Sequence, residues 1–108
     1  MPEIAKLNQN AFEAEVLKSS VPVMVDFGAA WCNPCKMLDQ VVTQLSQEWD
    51  GKVKVVKLDV DDNSQLAMQY GVMGLPTLIL FVNGQPVQRL SGYQPKDRIV
   101  SIFASYIF

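Results

Sequence analysis

The sequence predicts an α/β fold in which a mixed five-stranded sheet is flanked by four helices. Segments with strand character alternate with segments of helical periodicity, and strands joined through helices pair in parallel by right-handed crossovers. The Asn83-Gly84 dipeptide is a strong hairpin signal, so the last two strands should be antiparallel. The 108 residues suffice for one hydrophobic core, which predicts a single domain over residues 1–108.

The first half of the chain carries the segment from which the site is predicted. We expect a short strand over Glu3 to Leu7, and then a helix capped by Asn10 that ends near Ser19-Ser20. The nearly continuous apolar run Val21 to Phe27 is typical of a strand covered on both faces, although Asp26 interrupts it. The remaining predicted elements are a helix from Pro34 to Gly51, a strand over Lys52 to Val60, a short helix ending at Gly71, strands over Thr77 to Val82 and Pro86 to Ser91 (an edge strand), and a final helix with the stripe Ile99, Ile102, Phe103, Tyr106 and Ile107.

The composition argues against several classes of function. A net charge of −2 without a basic cluster gives no electrostatic basis for binding nucleic acid or an anionic membrane. No apolar run is long enough to span a bilayer, and Met1 to Ser20 lacks the apolar core of a secretory signal. We therefore expect a cytoplasmic protein, in a compartment where structural disulfides are rare.

Both cysteines lie two residues apart, in Trp31-Cys32-Asn33-Pro34-Cys35, at the predicted junction of a strand and a helix. The unpaired N–H groups at a helix N-terminus favour an anion, so Cys32 should ionise readily and act as the nucleophile in disulfide exchange. Cys35, expected to be the more buried, would then resolve the mixed disulfide. A metal site is the alternative, but two cysteines and no histidine fill half of a zinc shell, so it would require a dimer.

Asp26 is the second candidate for chemistry. A carboxyl group buried in an apolar strand would have a raised pKa and could accept the proton that Cys35 must lose. A strand-end aspartate that reaches water is the alternative, and Lys57 by itself is most simply a solvated strand lysine. The third candidate is Gly74-Leu75-Pro76-Thr77, which by itself indicates an ordinary turn before a buried strand.

These motifs occur together in the order and spacing of the thioredoxin family, which the chain resembles from about residue 3 to its C-terminus. Several separate motifs in register are far more specific than a lone Cys-x-x-Cys. The residues that carry the resemblance are Val25-Asp26-Phe27, Trp31-Cys32-x-Pro34-Cys35-Lys36, Lys57-Leu58-Asp59, Tyr70-Gly71-Val72, Gly74-Leu75-Pro76-Thr77, Phe81-x-Asn83-Gly84 and Gly92.

The resemblance implies a thioredoxin fold and a general protein disulfide reductase that works through a Cys32/Cys35 dithiol–disulfide cycle. It implies proton transfer by Asp26, tuning of Asp26 by Lys57, and a cis Pro76 that faces the cysteines. No bound cofactor or metal is expected: electrons would come from NADPH through a thioredoxin reductase, and the partners would be that reductase and disulfide-containing proteins, with the chain a monomer. The alternative is a non-catalytic binding subunit or chaperone module. The implied substrate surface comprises Trp31, Asn33, Pro34, Met73, Gly74, Leu75, Gly92 and Tyr93.

Two positions depart from the family pattern near the site. Asn33 stands where the family usually has glycine, and its side chain could hydrogen-bond a thiolate or cap the helix. Gly28 stands where the family often has tryptophan. Without that ring we expect an open wall between Asp26 and the cysteines, and a wetter, less perturbed Asp26.

Overall fold

The structure is a computed structural model that describes residues 4–108. Its centre is a mixed five-stranded sheet with the spatial order β1-β3-β2-β4-β5. The edge position of the last strand agrees with the presence of Pro86, which has no N–H to donate to a neighbouring strand. The strands are β1 (Ala5–Leu7), β2 (Val23–Gly28), β3 (Lys54–Asp59), β4 (Thr77–Val82) and β5 (Gln85–Ser91).

Helices cover both faces of this sheet, as the alternation of segments predicted. The first helix passes directly into a wider π-helical turn over Glu13–Leu17, and none of the helices in residues 4–108 combines the length and apolarity that crossing a membrane requires. The helices are α1 (Gln9–Phe12), α2 (Asn33–Glu48), α3 (Ser64–Gln69) and α4 (Lys96–Ile107).

The core has two layers because successive side chains of a strand point to opposite faces of the sheet. In β2, Met24 packs with α2 and α4, whereas Val25 packs on the opposite face with α1 and α3. Asp26 follows Val25 and therefore points to the same face as Met24, towards α2. The principal residues of the α2/α4 layer are Met24, Leu38, Val42, Leu45, Leu78, Leu80, Ile99 and Phe103.

One pairing differs from the prediction. β1 and β2 both run parallel to β3, but β4 runs antiparallel to β2, although a helix separates β4 from β3. The reason is the length of α3, whose six residues span about 9 Å, roughly half the length of a six-residue strand. So short a helix does not carry the chain to the far end of the sheet, and β4 starts at the end where β3 finished.

The start of the first helix was also predicted wrongly. Asn8 is the N-cap, not Asn10: its side chain accepts a hydrogen bond from the Ala11 N–H at 3.1 Å. Asn10 and a glutamate three residues later fit a capping pattern, but Asn10 is already helical. Of the first predicted strand, Glu3 lies outside the described residues.

The topology brings three segments to one edge of the sheet. β2 and β3 end there with Gly28 opposite Asp59, and β4 begins there with Thr77 opposite Phe27. The segment that follows β2 contains the cysteines, and the segment that precedes β4 contains Pro76. The cysteine motif and the loop at Pro76, which are distant in the sequence, are therefore neighbours in space.

Candidate active site

The two cysteines lie at the N-terminus of α2 and form a disulfide, with their Cα atoms 5.2 Å apart. Cys32 is the N-cap residue, and its Sγ accepts a hydrogen bond from the Cys35 N–H at 3.2 Å. Since the cap position belongs to Cys32, the alternative in which Asn33 caps the helix is wrong. An N–H group of the first helical turn directed at Sγ is the arrangement that stabilises a thiolate.

The two cysteines do not differ in burial as predicted. Cys32 is 4% exposed and Cys35 is 6% exposed, so Cys35 is not the more buried residue. Leu75 and Val60 are partly buried and pack against the small cluster that the two cysteines form with Ala29. What distinguishes the cysteines is the cavity that each one lines, because Cys32 faces one side of the disulfide and Cys35 the other.

Cys32 lines an open depression of 580 Å³, which we call the front groove. Trp31 is 68% exposed on one side of the groove and Met73 is 97% exposed on the other. The Trp31 indole N–H donates a hydrogen bond to Asp61 Oδ2 at 2.8 Å, which fixes the ring. Eight residues line the front groove, none of them charged: Trp31, Cys32, Asn33, Pro34, Val60, Val72, Met73 and Leu75.

The front groove contains five of the eight residues predicted for substrate binding, namely Trp31, Asn33, Pro34, Met73 and Leu75. Gly74, Gly92 and Tyr93 are not part of its lining, although Tyr93 is 41% exposed. Val60 and Val72 were missed. Val60 directly follows β3 and Val72 comes three residues after the end of the short helix α3, and this placement near the ends of two elements was the available signal.

The loop before β4 has a cis peptide bond between Leu75 and Pro76. Its shape is held by two hydrogen bonds: Thr77 Oγ1 donates to the Gly74 carbonyl at 2.6 Å, and the Gly92 N–H donates to the Pro76 carbonyl at 2.7 Å. Leu75 packs against the cysteines. Within residues 4–108, no backbone hydrogen bond outside the helices and strands involves Leu75.

Cys35 lines a second cavity of 250 Å³ behind the disulfide, which we call the back cavity. It differs from the front groove in chemistry, because six of its eleven lining residues carry ionisable side chains. β1, β2, β3 and α2 all contribute to its wall. The lining residues are Lys6, Asp26, Gly28, Ala29, Ala30, Cys35, Lys36, Asp39, Lys57, Leu58 and Asp59.

Asp26 lines the back cavity and is 2% exposed. Its Oδ1 has no hydrogen-bond partner among the described residues. The pKa of Asp26 is raised from 3.8 to about 7: burial raises it most, the negative charge of Asp39 adds to the rise, and the positive charge of Lys57 opposes both. The expectation of a wetter, less perturbed Asp26 is therefore wrong.

Gly28 forms part of the wall between Asp26 and Cys35. A Cβ atom at this position would lie 3.4 Å from both Cβ and Sγ of Cys35, which is ordinary van der Waals contact. Gly28 thus leaves the back cavity open next to the sulfur of Cys35. The absence of a tryptophan ring at Gly28 opens the back cavity but does not expose the Asp26 carboxyl group, because the strands and α2 still cover that group.

Lys57 lies beside Asp26 in the parallel register of β2 and β3, but its ammonium group pairs with another carboxylate. Lys57 Nζ is 2.9 Å from Asp39 Oδ2, in a pair whose side chains are 30% and 37% exposed. Asp39 was not predicted from the sequence. Its position four residues after Cys35, on the same face of α2, was the signal that could have found it.

Comparison with known proteins assigns the chain to a family. A family model described as Thioredoxin matches residues 3–105. The chain is 47% identical over 99 residues to Thioredoxin 1 of Nostoc sp., covering 92% of each chain. It is 43% identical to Thioredoxin of Synechocystis sp. and 42% identical to Thioredoxin of Haemophilus influenzae, in each case over 99% of this chain and 100% of the relative. The chain belongs to the thioredoxin family.

Proposed function

We propose that this protein is a general protein disulfide reductase that works through a dithiol–disulfide cycle of Cys32 and Cys35. One observation carries the proposal: a disulfide at a helix N-terminus separates an open apolar groove from a buried carboxyl group. The groove gives a substrate disulfide access to Cys32, and the carboxyl group gives Cys35 a proton acceptor. The membership of the thioredoxin family supports the same reaction.

In the first step the Cys32 thiolate attacks one sulfur of a substrate disulfide. A bond forms between Cys32 Sγ and that sulfur, the substrate S–S bond breaks, and the second substrate sulfur leaves as a thiolate that takes a proton from solvent. The role of Cys32 as nucleophile is supported by its place in the front groove and by the Cys35 N–H directed at its Sγ. The directed N–H favours the anionic form of the sulfur, and a substrate disulfide in the groove would lie next to it.

In the second step Cys35 resolves the mixed disulfide. The Asp26 carboxylate accepts the Cys35 thiol proton, the resulting thiolate attacks Cys32 Sγ, and the remaining substrate sulfur leaves. The substrate gains two electrons and the protein forms the Cys32–Cys35 disulfide. The pKa of Asp26, raised to about 7, supports this role because a base of that strength is partly ionised at neutral pH and retains affinity for a proton.

Substrate binding is proposed for the front groove together with the backbone of Leu75. An extended segment of the substrate would pair with the N–H and carbonyl of Leu75, beside Pro76, in the manner of strand addition. Trp31, Asn33, Pro34 and Met73 would contact its side chains. Gly74, Gly92 and Tyr93 would hold or extend the rim of this surface.

The oxidised protein must be reduced again, and two electrons from NADPH through a thioredoxin reductase are the proposed source. The apolar front groove would serve both that reductase and the protein substrates. We propose that the protein acts as a monomer in the cytoplasm, since a dithiol reductant works where the surrounding thiols are kept reduced. A chain of this size with one core has no need of a second copy to complete the site.

The alternative, a non-catalytic binding module, differs in what the cysteines must do. A module that only binds has no use for a buried carboxyl group behind Cys35, so the back cavity favours the reductase. For the metal alternative, residues 4–108 contain no group of three or more histidine, cysteine, aspartate or glutamate side chains placed to hold an ion.

The proposal is tested by the reduction of insulin in the presence of a small dithiol, followed as precipitation. The protein should accelerate precipitation well above the dithiol alone, and Cys32→Ser should reduce the rate to that background. Met68→Ser is a matched control, because Met68 is 78% exposed in α3 and lines neither cavity. Equal rates for the wild-type protein and Cys32→Ser would overturn the proposal and favour the binding module.

A further inference from the structure

The ion pair between Lys57 and Asp39 joins the sheet to α2, and both residues line the back cavity together with Asp26. Lys57 and Asp26 are register partners on adjacent parallel strands, so their side chains leave the same face of the sheet. This placement makes Asp26 one of the carboxyl groups with which Lys57 could pair. Lys57 Nζ instead lies 2.9 Å from Asp39 Oδ2, and among residues 4–108 no ion pair forms with Asp26.

Asp39 competes for Lys57 from a favourable position. Asp39 comes four residues after Cys35, on the same face of α2, and it lines the back cavity. Its side chain is 37% exposed, so its carboxylate remains hydrated, whereas Asp26 is 2% exposed. Because a hydrated carboxylate keeps its charge at little cost, Asp39 is the better partner for the ammonium group.

The other charged groups around the back cavity cannot replace this pair. Lys6 on β1 and Lys36 on α2 are exposed, so water screens their charges, and Asp59 lies at the end of β3. β4 places the apolar Leu78 opposite Asp26. Asp39 and Lys57 are thus the two charged groups that most strongly affect the protonation of Asp26, and their effects have opposite signs. The pKa of Asp26 responds to both, raised by Asp39 and lowered by Lys57.

We propose that Asp39 is a positioning residue that holds the Lys57 ammonium group away from Asp26 and thereby keeps Asp26 a proton acceptor for Cys35. With Asp39 in place, Asp26 lacks a cationic partner and binds a proton well. If Lys57 were released, it could turn to the unpartnered Oδ1 of Asp26 and stabilise the carboxylate. Only the role of Asp26 as proton acceptor for Cys35 rests on the proposed function. The effect of Asp39 on Asp26 is independent of catalysis.

The first test is a titration of Asp26 in the oxidised protein, in which the cysteines do not ionise. Carboxyl carbon chemical shifts of aspartate-labelled protein report the pKa, and the Asp26→Asn spectrum assigns the signal. Asp39→Asn should lower the Asp26 pKa by at least about 1, the typical effect of a cation freed to approach a carboxylate. Asp39→Glu, which keeps the charge and the pair, should stay close to the wild-type value.

Asp50→Asn is the matched control, because it removes the same charge from an exposed position just after the C-cap of α2. It should leave the Asp26 pKa unchanged. An unchanged Asp26 pKa in Asp39→Asn would overturn the proposal, as would a shift of equal size in Asp50→Asn. Since Asp39 is partly exposed and asparagine has its shape, a thermal unfolding curve suffices to establish that the variant folds.

The second test separates action through Lys57 from a simple charge effect. In a Lys57→Met background, Asp39→Asn removes a charge but frees no cation, so the Asp26 pKa should fall by less than in the wild-type background. Equal falls in the two backgrounds would show that Asp39 does not act through Lys57 and would overturn the positioning role.

The pH dependence of insulin reduction then distinguishes this proposal from the proposed function. If Asp26 transfers the proton, the pH profile of Asp39→Asn should move in the direction of the Asp26 pKa. A lowered Asp26 pKa with an unmoved rate profile would support the role of Asp39 in setting Asp26 but contradict Asp26 as the proton acceptor. An unmoved Asp26 pKa would contradict the role of Asp39 whatever the activity.

Discussion

The front groove and the back cavity lie on opposite sides of one disulfide and differ most in charge. The front groove measures 580 Å³ and no charged side chain lines it, whereas the back cavity measures 250 Å³ and has six ionisable side chains in its wall besides Cys35. The difference suggests a division of labour in which the groove recognises apolar substrate surface and the cavity handles protons. Changes on one side should therefore affect affinity, and changes on the other should affect pH dependence.

The largest effect is expected from Asp26→Asn in the back cavity. The folded protein has an Asp26 pKa of about 7 against an ordinary 3.8, so the folded state favours the protonated form. The stability that this contributes is fully present below about pH 3.8 and is lost as the pH rises through about 7. At about pH 9 the buried carboxylate costs about 4 kcal/mol, which the asparagine variant should regain.

The measurement is urea unfolding of both oxidised proteins near pH 4 and near pH 9. The difference in unfolding free energy between Asp26→Asn and the wild-type protein should grow by several kcal/mol between these conditions. Asp97→Asn, at the exposed start of α4, is the control and should show no such growth. A difference that is the same at both pH values would contradict the burial of an ionising Asp26.

A smaller effect, on substrate affinity, is expected from Met73→Glu in the front groove. Met73 is 97% exposed at the edge of an apolar lining, and a substrate that covers it would bury its side chain. Loss of that burial should cost about 1 kcal/mol, so KM for a disulfide peptide with apolar flanks should rise roughly fivefold at unchanged kcat.

Met68→Glu introduces the same charge at another exposed methionine, which lies outside the groove, and should leave KM unchanged. The Asp26 pKa should be the same in both variants. A Met73→Glu variant with altered kcat and pH profile but normal KM would contradict the separation of recognition from proton transfer.

The smallest effect is expected from Gly28→Ala at the wall of the back cavity. A Cβ atom fits there in ordinary contact with Cys35, so the variant should gain about 0.5 kcal/mol of stability from the reduced entropy of the unfolded chain. Gly84→Ala is the contrast, since Gly84 has φ +78 and a Cβ would lie 2.8 Å from the Leu17 carbonyl oxygen. Urea unfolding should show a gain for the first and a loss for the second, and a loss for Gly28→Ala would contradict an open wall.

Much of this fold could be predicted from the sequence because local patterns determine it. The amphipathic stripe of α2, the buried run of β2 and the Asn83-Gly84 turn are each specified by neighbouring residues. The direction of β4 was predicted wrongly, because it depends on the short length of α3. The length of α3 determines at which end of the sheet the chain begins β4, and no single sequence motif specifies that length.

The site was predictable to a similar degree. The cysteine pair and the loop at Pro76 are contiguous motifs and could be recognised directly. Asp39 could not, because its importance comes from a lysine on another element and a carboxyl group on a third. The prediction that Cys35 is more buried than Cys32 was also wrong, since the packing of Leu75 against the cysteine cluster comes from the loop before β4, distant in the sequence.

The central claim is that the two cysteines have different roles because they face different cavities, and trapping of a mixed disulfide tests it most directly. Reduced Cys35→Ser and reduced Cys32→Ser would each be mixed with a disulfide peptide, and the covalent adduct followed by mass spectrometry. Cys35→Ser should form an adduct at Cys32 rapidly, and Cys32→Ser should form one slowly. Comparable rates, or a faster reaction at Cys35, would contradict the account.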